Sequence, residues 1–179
     1  MLIDDSYEKI APSRFIMENV VIDENGFRPN VGIILSNNDG KVFWGKRIGQ
    51  RSWQFPQGGI NEGETPLEAM YRELHEEVGL TSEHVEVVGY TSDWLRYRLP
   101  KHLIRRRSTP TCIGQKQVWF LLRLTTDDSF VDLKATSVPE FDGWRWVHHQ
   151  RSIREVVYFK RTVYEKALRE LSPLLPSFE

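Results

Sequence analysis

The sequence has little cysteine and no long apolar run. Cys112 is the single cysteine among 179 residues, so no disulfide can form within the chain, which fits a reducing compartment. It has no cysteine or histidine partner at metal-binding spacing and is predicted to be a small buried apolar residue. No apolar run approaches the roughly 20 residues of a membrane span, and residues 1–6 lack the basic and apolar parts of a signal peptide. These absences predict a cytoplasmic protein without a membrane partner.

An excess of charge of either sign is also missing. The chain has 24 lysine and arginine residues against 25 aspartate and glutamate residues, for a net charge of −1. The chain as a whole is therefore not an electrostatic binder of nucleic acid, any basic surface must be local, and no DNA partner is expected. With 40% hydrophobic residues, the chain suits one globular domain with a core of its own.

The pattern of apolar residues divides the chain into three parts. Residues 1–20 have weak periodicity and are interpreted as an N-terminal extension, either flexible or upstream of a true start near Met17. Residues 21–172 form the predicted domain, whose short strands and few helices favour a mixed β-sheet between helices, in the α/β class. Residues 153–171 have helical spacing, for one helix or two, and prolines end this segment at a short C-terminal tail, 173–179.

An amphipathic helix is predicted over residues 66–78. Thr65 is suited to the N-cap position and Pro66 to the first helical position. Gly79 is suited to the C-terminal cap. One stripe of the helix is apolar at helical spacing and contains Leu67, Met70, Tyr71, Leu74 and Val78.

Three glutamates share another face of this helix, because Glu73, Glu76 and Glu77 stand at i, i+3 and i+4. We expect this face to be exposed. Like charges at this spacing repel, and Arg72 alone cannot neutralise three carboxylates, so the face needs a cation; oxygen ligands suit Mg²⁺ or Mn²⁺ better than zinc. For a generic glutamate-rich helix a solvated acidic face is the favoured alternative. The preceding Gly-Gly turn, Glu64 and the ordered spacing weigh against that alternative.

The spacing across residues 58–80 resembles the Nudix box at every fixed position. The matching residues are Gly58, Glu64, Arg72, Glu73, Leu74, Glu76, Glu77, Gly79 and Leu80. The resemblance implies the Nudix fold, a mixed sheet in an α/β/α sandwich. It also implies a hydrolase of nucleoside diphosphates linked to another group, with Mg²⁺, Mn²⁺ or another divalent cation as cofactor. The box alone does not name the substrate.

Segments outside the box are similar to the bacterial RNA pyrophosphohydrolase family. They are residues 25–32, 53–61, 94–97, 113–117 and 139–146, and the similarity extends over residues 21–171. Members of that family remove pyrophosphate from 5′-triphosphorylated RNA, which marks the transcript for decay, and they also cleave dinucleoside polyphosphates. The resemblance implies the 5′ end of single-stranded RNA as the partner, with free nucleotides as further possible substrates. The N-terminal extension departs from the family pattern.

A run of cations lies near the middle of the chain. It contains Arg96, Arg98, Lys101, His102, Arg105, Arg106 and Arg107. A triphosphate and the phosphates that follow it need such donors. Tyr97 lies within the run and could stack on a base. The alternative is an exposed basic loop around a core tyrosine, which a charge run alone would favour; the predicted phosphate-cleaving helix makes RNA binding at least as good an interpretation.

Phe159 and Lys160 form a second candidate RNA contact. If residues 153–171 were one helix, Phe159 would fall off the apolar stripe, so it is either exposed for stacking or marks a break between helices. The resemblance implies that an aromatic–lysine pair holds the base next to the triphosphate, with Val157 as a neighbouring contact. It also assigns contacts with phosphate or RNA to Arg28, Arg47, Ser52 and Gln54.

The predicted chemistry is metal-assisted attack of water on a phosphoanhydride. The predicted metal ligands are Glu73, Glu76, Glu77 and Glu140, with a backbone carbonyl of the Gly-Gly loop as a further candidate. The resemblance implies the role of Glu140, which would otherwise be interpreted as an ordinary loop glutamate. Glu76 or Glu140 is the expected proton acceptor. Glu64 is expected to shape the loop or to pair with Arg72.

Two other functions stay open from the sequence. One is a dinucleoside polyphosphate hydrolase, which would use the same site on a free nucleotide. The other is a non-catalytic nucleotide or RNA sensor, against which the intact glutamate cluster argues. The sequence does not specify any activating protein.

Overall fold

The computed structural model describes residues 22–105 and 109–176, and within them eight strands form one sheet that lies between helices. The predicted extension 1–20 lies outside the described residues. The strands are β1 Phe27–Ser36, β2 Val42–Arg47, β3 Trp53–Gln54, β4 Gln57–Gly59, β5 Val85–Tyr90, β6 Leu95–Arg98, β7 Gly114–Leu124 and β8 Phe141–Val147. The helices are α1 Pro66–Val78, α2 His149–Glu155 and α3 Arg161–Leu171.

The sheet is mixed, as the sequence pattern predicted. Its central path runs β3-β2-β1-β7-β5, and β4, β6 and β8 pair with β1, β7 and β2. β1 and β7 run parallel from Phe27–Gly114 to Ser36–Arg123, whereas the other pairs are antiparallel. β4 pairs with the first half of β1, at Asn30 to Gly32. The loop that leads into α1 therefore starts at that end of the sheet.

Each face of the sheet carries its own core. On one face, Leu74 and Val78 of α1 pack in a cluster with Ile33 and Leu122. On the other face, Tyr164 of α3 belongs to a cluster with buried residues of β1, β2 and β7. Alternate residues of a strand point to opposite faces, which is why both sides of the central strands are apolar. The two cores confirm an α/β/α sandwich.

Local capping sets both ends of α1 where the sequence predicts them. The Thr65 side chain accepts a hydrogen bond from the Glu68 amide at 3.2 Å, and the Glu68 carboxylate accepts from the Thr65 amide at 2.8 Å. Gly79 ends the helix at φ 77°, and its amide donates to the His75 carbonyl at 3.0 Å. An N-cap of this kind stabilises a helix by about 0.5–2 kcal/mol. The two ends of α1 are therefore set by local contacts within residues 65–79.

The C-terminal apolar segment is two helices rather than one. A 3₁₀ turn, Tyr158–Lys160, separates α2 from α3. Phe159 falls off the helical stripe because the helix breaks there, which was the alternative to an exposed stacking residue; its side chain is nevertheless only half-buried. A further 3₁₀ turn, Ser172–Leu174, follows α3 at the start of the predicted tail.

Two further observations concern Cys112 and the length of the apolar helices. Cys112 is half-buried rather than fully buried, and its Sγ lies 3.2 Å from the Gly114 carbonyl oxygen. Across the part of the chain that the structure describes, no helix combines the length and apolar character needed to cross a membrane.

Candidate active site

Strand β4, which precedes the loop into α1, holds two of the glutamates directly. The Gln57 amide donates to Glu77 Oε2 at 3.0 Å. A Cβ atom at Gly58 would lie 1.9 Å from the carboxyl carbon of Glu73, so this carboxylate rests on a backbone that has room only for glycine. The main chain of β4 and the side chains of α1 thus fix each other.

Arg72 links α1 to the residues that precede it through several hydrogen bonds. Its Nε and Nη2 donate to the two carboxylate oxygens of Glu64 at 2.7 and 2.9 Å, and Nη2 also donates to the Gly59 carbonyl at 2.7 Å. Its Nη1 donates to Glu73 at 2.6 Å and to Glu76 at 3.2 Å. One planar guanidinium therefore ties three carboxylates to the loop, which a lysine could not do with the same geometry.

Glu64 has both of the roles that the sequence left as alternatives. It pairs with Arg72, and its Oε2 accepts from the Asn61 amide at 2.9 Å, which closes the loop. The hydrogen bond from Arg72 is the main cause that lowers the pKa of Glu64, so this carboxyl is held ionised. Arg28 lies on the other side of the same loop, since a Cβ at Gly59 would come within 2.3 Å of its guanidinium.

The expectation that Glu73 and Glu77 lie on an exposed helix face is wrong. They are 7% and 8% exposed, because strand β4 lies against them, whereas the Glu76 side chain is 45% exposed. Burial raises the pKa of Glu73, against the lowering effect of Arg72. Burial also raises the pKa of Glu77 well above its ordinary value, with the charge of Glu73 adding to the effect and the Gln57 hydrogen bond opposing it. The site concentrates negative charge where solvent screens it poorly.

The chemistry of this donor set fits a divalent cation. Hard carboxylate oxygens are what Mg²⁺ and Mn²⁺ prefer, and Glu77 lies within the fields of both Glu73 and Glu140. The conformation does not assemble a cation cage, however: among residues 22–105 and 109–176, no three carboxylate, imidazole or thiol groups converge on one metal position. Arg72 occupies oxygens of Glu73 and Glu76.

Glu140 is attached to the site through Arg47. Arg47 Nε and Nη2 both contact Glu140 Oε1 at 2.9 Å, and the Ile48 amide donates to the Glu140 carbonyl at 3.0 Å. Gln50 Oε1 accepts from Arg47 Nη1 and from the Ser52 hydroxyl, each at 3.1 Å. The structure therefore brings Arg47, Ser52 and Glu140 together, and their predicted roles stay predictions. Sequence reasoning missed Gln50, because a glutamine in a polar loop carries no distinguishing pattern.

Lys160 is buried beside the glutamate cluster. It is 7% exposed, and its Nζ donates to Gln54 Oε1 at 3.1 Å. Burial lowers the pKa of Lys160 to about 8; the charge of Arg47 acts in the same direction, and Glu77 and Glu140 oppose it. Gln54 is itself only 5% exposed and faces Lys160, and its predicted contact with substrate stays a prediction.

Tyr97 does not offer a free face for stacking, which corrects its predicted role. The ring is 6% exposed and packs in the α3-side core, 5.8 Å from the ring of Phe159. Its neighbours Arg96 and Arg98 are exposed and lie over the ring of Phe27 at 6.0 and 5.7 Å. Strand alternation thus sends Tyr97 to one face of the sheet and the two arginines to the other.

Within the described residues, the predicted basic run keeps its cations exposed, and its contact with RNA stays a prediction. Lys101 and His102 are exposed in a 3₁₀ turn that follows β6. Arg106 and Arg107 lie outside the described residues. Val157 and Phe159, in contrast, are half-buried at the turn that carries Lys160, so this second candidate contact keeps an accessible surface next to the glutamates.

Comparisons with known proteins agree with this geometry. A model of the NUDIX domain matches residues 26–167, which is most of the chain. The chain belongs to the Nudix family. It is 66% identical over 155 residues to an RNA pyrophosphohydrolase of Thioalkalivibrio sulfidiphilus (strain HL-EbGR7), covering 87% of this chain and 90% of that protein. It is 58% identical over 159 residues to an RNA pyrophosphohydrolase of Vibrio atlanticus (strain LGP32), covering 89% and 92%. Within the Nudix family, the chain thus belongs with the bacterial RNA pyrophosphohydrolases, as its motifs implied.

Solved Nudix structures confirm the fold at much lower identity. A Caenorhabditis elegans (C. elegans) Ap4A hydrolase in a binary complex is 18% identical, with a TM-score of 0.59 over 81% of this chain and 98% of that chain. The Escherichia coli (E. coli) dihydroneopterin triphosphate pyrophosphohydrolase is 20% identical, with a TM-score of 0.58 over 77% and 92%. Likeness at this level concerns the fold alone. Nudix hydrolases generally use divalent cations, which matches the donor chemistry of the glutamate cluster.

Proposed function

We propose that this Nudix protein hydrolyses the 5′-triphosphate of RNA, leaving a 5′-monophosphate and releasing pyrophosphate, and so starts mRNA decay. The observation that carries the proposal is the juxtaposition of a buried glutamate cluster with a lysine and an accessible aromatic side chain. Glu77 and Lys160 lie within each other's electrostatic field, so the phosphate-cleaving and base-contacting groups share one site. The relatives that are 58% and 66% identical over most of the chain are RNA pyrophosphohydrolases, which supports the same substrate.

The proposed ligands of the cofactor are Glu73, Glu76, Glu77 and Glu140, and the proposed ion is Mg²⁺ or Mn²⁺. When bound, such an ion neutralises phosphate oxygens and lowers the pKa of a coordinated water. Arg72 and the Gln57 amide supply the rigidity that the ligands need, because they hold Glu73 and Glu77 against the loop. Gly58 permits that close approach.

The proton of the attacking water goes to a carboxylate, for which Glu76 and Glu140 are the candidates. Arg47 contacts Glu140 only through Oε1, so Oε2 can accept a proton. Glu76 is more exposed than Glu73 and Glu77 and can reach a water at the surface of the cluster. In the reaction, a new bond joins the water oxygen to the α-phosphorus, the bond from that phosphorus to the bridging oxygen breaks, and pyrophosphate leaves.

The remaining predicted residues are proposed to orient the substrate. Arg28 lies against Gly59 and Arg47 contacts Glu140, so both guanidinium groups are placed to bind the phosphates. Ser52 holds Arg47 indirectly, through Gln50. Val157 and Phe159, with Lys160 behind them, provide an apolar surface on which the base next to the triphosphate can stack. Such contacts need an unpaired base, which favours single-stranded RNA.

Hydrolysis of dinucleoside polyphosphates is the second candidate, because these substrates present a base and a phosphate chain to the same groups. The names of the relatives favour RNA, and the likeness to the C. elegans Ap4A hydrolase is one of fold only. We further propose that the protein acts in the cytoplasm, where bacterial transcripts are made and degraded.

The decisive assay compares two substrates with and without Mg²⁺. The wild-type protein should release pyrophosphate from a short 5′-triphosphorylated RNA with a higher kcat/KM than it cleaves diadenosine tetraphosphate, and chelation should stop both reactions. Glu73→Gln is the matched control for contaminating hydrolases. A higher kcat/KM on diadenosine tetraphosphate would move the assignment to the second candidate. Tight RNA binding with no turnover of either substrate would support the sensor.

A further inference from the structure

The turn that carries Phe159 and Lys160 begins with an exposed aromatic side chain. Tyr158 is 69% exposed, although a tyrosine ring would gain from burial. A single exposed aromatic residue is ordinary on a protein surface, so exposure by itself implies nothing. What distinguishes Tyr158 is its position, since it directly precedes the proposed stacking residue in the same 3₁₀ turn.

Three aromatic rings form a series from the core to the surface at the Tyr158–Lys160 turn. Tyr97 is 6% exposed, Phe159 is half-buried, and Tyr158 is the most exposed of the three. The ring centroids of Tyr97 and Phe159 are 5.8 Å apart, and those of Phe159 and Tyr158 are 5.5 Å apart. Phe159 therefore contacts both of the other rings, and the series ends on a ring that presents most of its surface to solvent.

Contacts with the protein interior hold this turn in place. The Lys160 amide donates to the Val157 carbonyl at 3.0 Å, and its side chain is buried on Gln54. The α3-side core also includes Val156, which precedes the turn and is buried. A ring on an anchored turn loses little conformational freedom when a ligand stacks on it, which favours binding.

The orientation of the two outer rings bears on what they can bind. The planes of Tyr158 and Phe159 are 89° apart. One planar base can lie parallel to only one of them. If a base stacks on Phe159, the Tyr158 ring is left for a different base. Successive bases of single-stranded RNA can be splayed and stacked separately on aromatic side chains.

We propose that Tyr158 is a second base-stacking residue, which takes the base of a nucleotide farther along the RNA than the one on Phe159. This inference rests on the proposed function and deepens it, because it makes the site sensitive to RNA length. A substrate too short to reach Tyr158 gains nothing from the ring. Tyr158 is then a positioning residue that favours transcripts over small nucleotides, without touching the reacting phosphates.

The test is a length series of 5′-triphosphorylated RNAs, from one to six nucleotides, with kcat and KM measured for each. Wild-type KM should fall about tenfold at the length where the new base reaches Tyr158. Tyr158→Ala should lose that fall, with kcat changed less than about twofold, whereas Tyr158→Phe keeps the ring and should retain it. Phe130→Ala is the matched control, because Phe130 is another exposed aromatic residue, 53% exposed. Its ring packs on His84 and follows the C-terminal end of β7 in the chain.

An abasic nucleotide placed at the critical length supplies an independent check. It should raise the wild-type KM and leave the KM of Tyr158→Ala unchanged. An identical length dependence in wild type and Tyr158→Ala would overturn the proposal. So would an equal rise in KM at every length, including one nucleotide, since that would show that Tyr158 merely supports Phe159.

Failure of the proposed function would look different. If the wild type did not cleave any triphosphorylated RNA, the same length series could be read as affinity, by fluorescence anisotropy of labelled RNA. A step in affinity that is present in wild type and in Tyr158→Phe but absent in Tyr158→Ala would still support the stacking role. Absence of the step in wild type would reject it.

Discussion

Replacing Gly58 by alanine should disable the site without removing any functional side chain. The added Cβ would lie 1.9 Å from Cδ and Oε1 of Glu73 and 2.2 Å from Oε2. Real Cβ atoms do not approach other heavy atoms closer than 3.0 Å, so the carboxylate must move by at least about 1.1 Å. The same movement would strain the 2.6 Å contact between Glu73 and Arg72.

The expected cost is mainly catalytic. Misplacing a catalytic group by about 1 Å can lower a rate about 10²-fold, so kcat of Gly58→Ala on triphosphorylated RNA should fall by about two orders of magnitude. The clash involves the far end of a flexible side chain, so the loss of stability should stay near the lower end of the about 1–3 kcal/mol typical of overpacking. A steady-state assay at saturating Mg²⁺, alongside a thermal melt, measures both quantities.

Gly143→Ala is the matched control for this substitution. It makes the same chemical change on β8, where the nearest atom to the new Cβ is 3.9 Å away and φ is not positive. Its kcat should stay within about twofold of wild type. A Gly58→Ala protein that keeps more than a third of wild-type kcat would refute the reasoning, because Glu73 would then not need its present position.

Three further outcomes are expected from the geometry of the site. Glu77→Gln should lower turnover at least about 10²-fold, on the order expected for a lost charge-stabilising group. Its melting temperature in a chelator should not fall, because the change removes a buried charge that lies close to other carboxylates. A large fall in melting temperature would assign Glu77 a structural role. Phe159→Ala should raise KM for triphosphorylated RNA about tenfold and leave cleavage of inorganic tripolyphosphate unchanged; equal losses on both, with a lower melting temperature, would make Phe159 a core residue. Burial lowers the pKa of Lys160 to about 8, so its charge is present below that pH and lost above it, and KM for RNA should rise between pH 7 and 9. The Lys160→Arg variant stays charged over this range and should flatten the rise. A rise that persists in this variant would exclude Lys160 as its cause.

The parts of this protein that depend on neighbouring residues could be predicted from sequence. The ends of α1 follow from Thr65, Pro66 and Gly79, because capping groups act within one turn of the helix. The alternation of apolar residues predicted a mixed sheet between helices, since strand and helix periods differ. The order of glutamates around Arg72 predicted phosphate chemistry with a divalent cation through its resemblance to the Nudix box.

Tertiary structure decided what the same residues face. Helical spacing put Glu73 and Glu77 on one side of α1, but it is strand β4, packed against that side, that buries them. Tyr97 stands within a basic run, yet strand pairing and the packing of α3 turn its ring into the core. The link from Arg47 to Ser52 through Gln50 arises where a loop folds back, and no spacing in the chain encodes it.

The physical reason for this division is the range of the interactions. Caps, periodicity and motif spacing are set within a few residues, so composition and order determine them. Burial, electrostatic fields and ring contacts depend on segments far apart in the chain, such as Gln54 and Lys160, whose 3.1 Å contact spans 106 positions. By itself, the sequence determined which residues are candidates for the chemistry; the packing of α1 and of the Tyr158–Lys160 turn against the sheet decided which of them are buried, which are held by hydrogen bonds and which stay accessible.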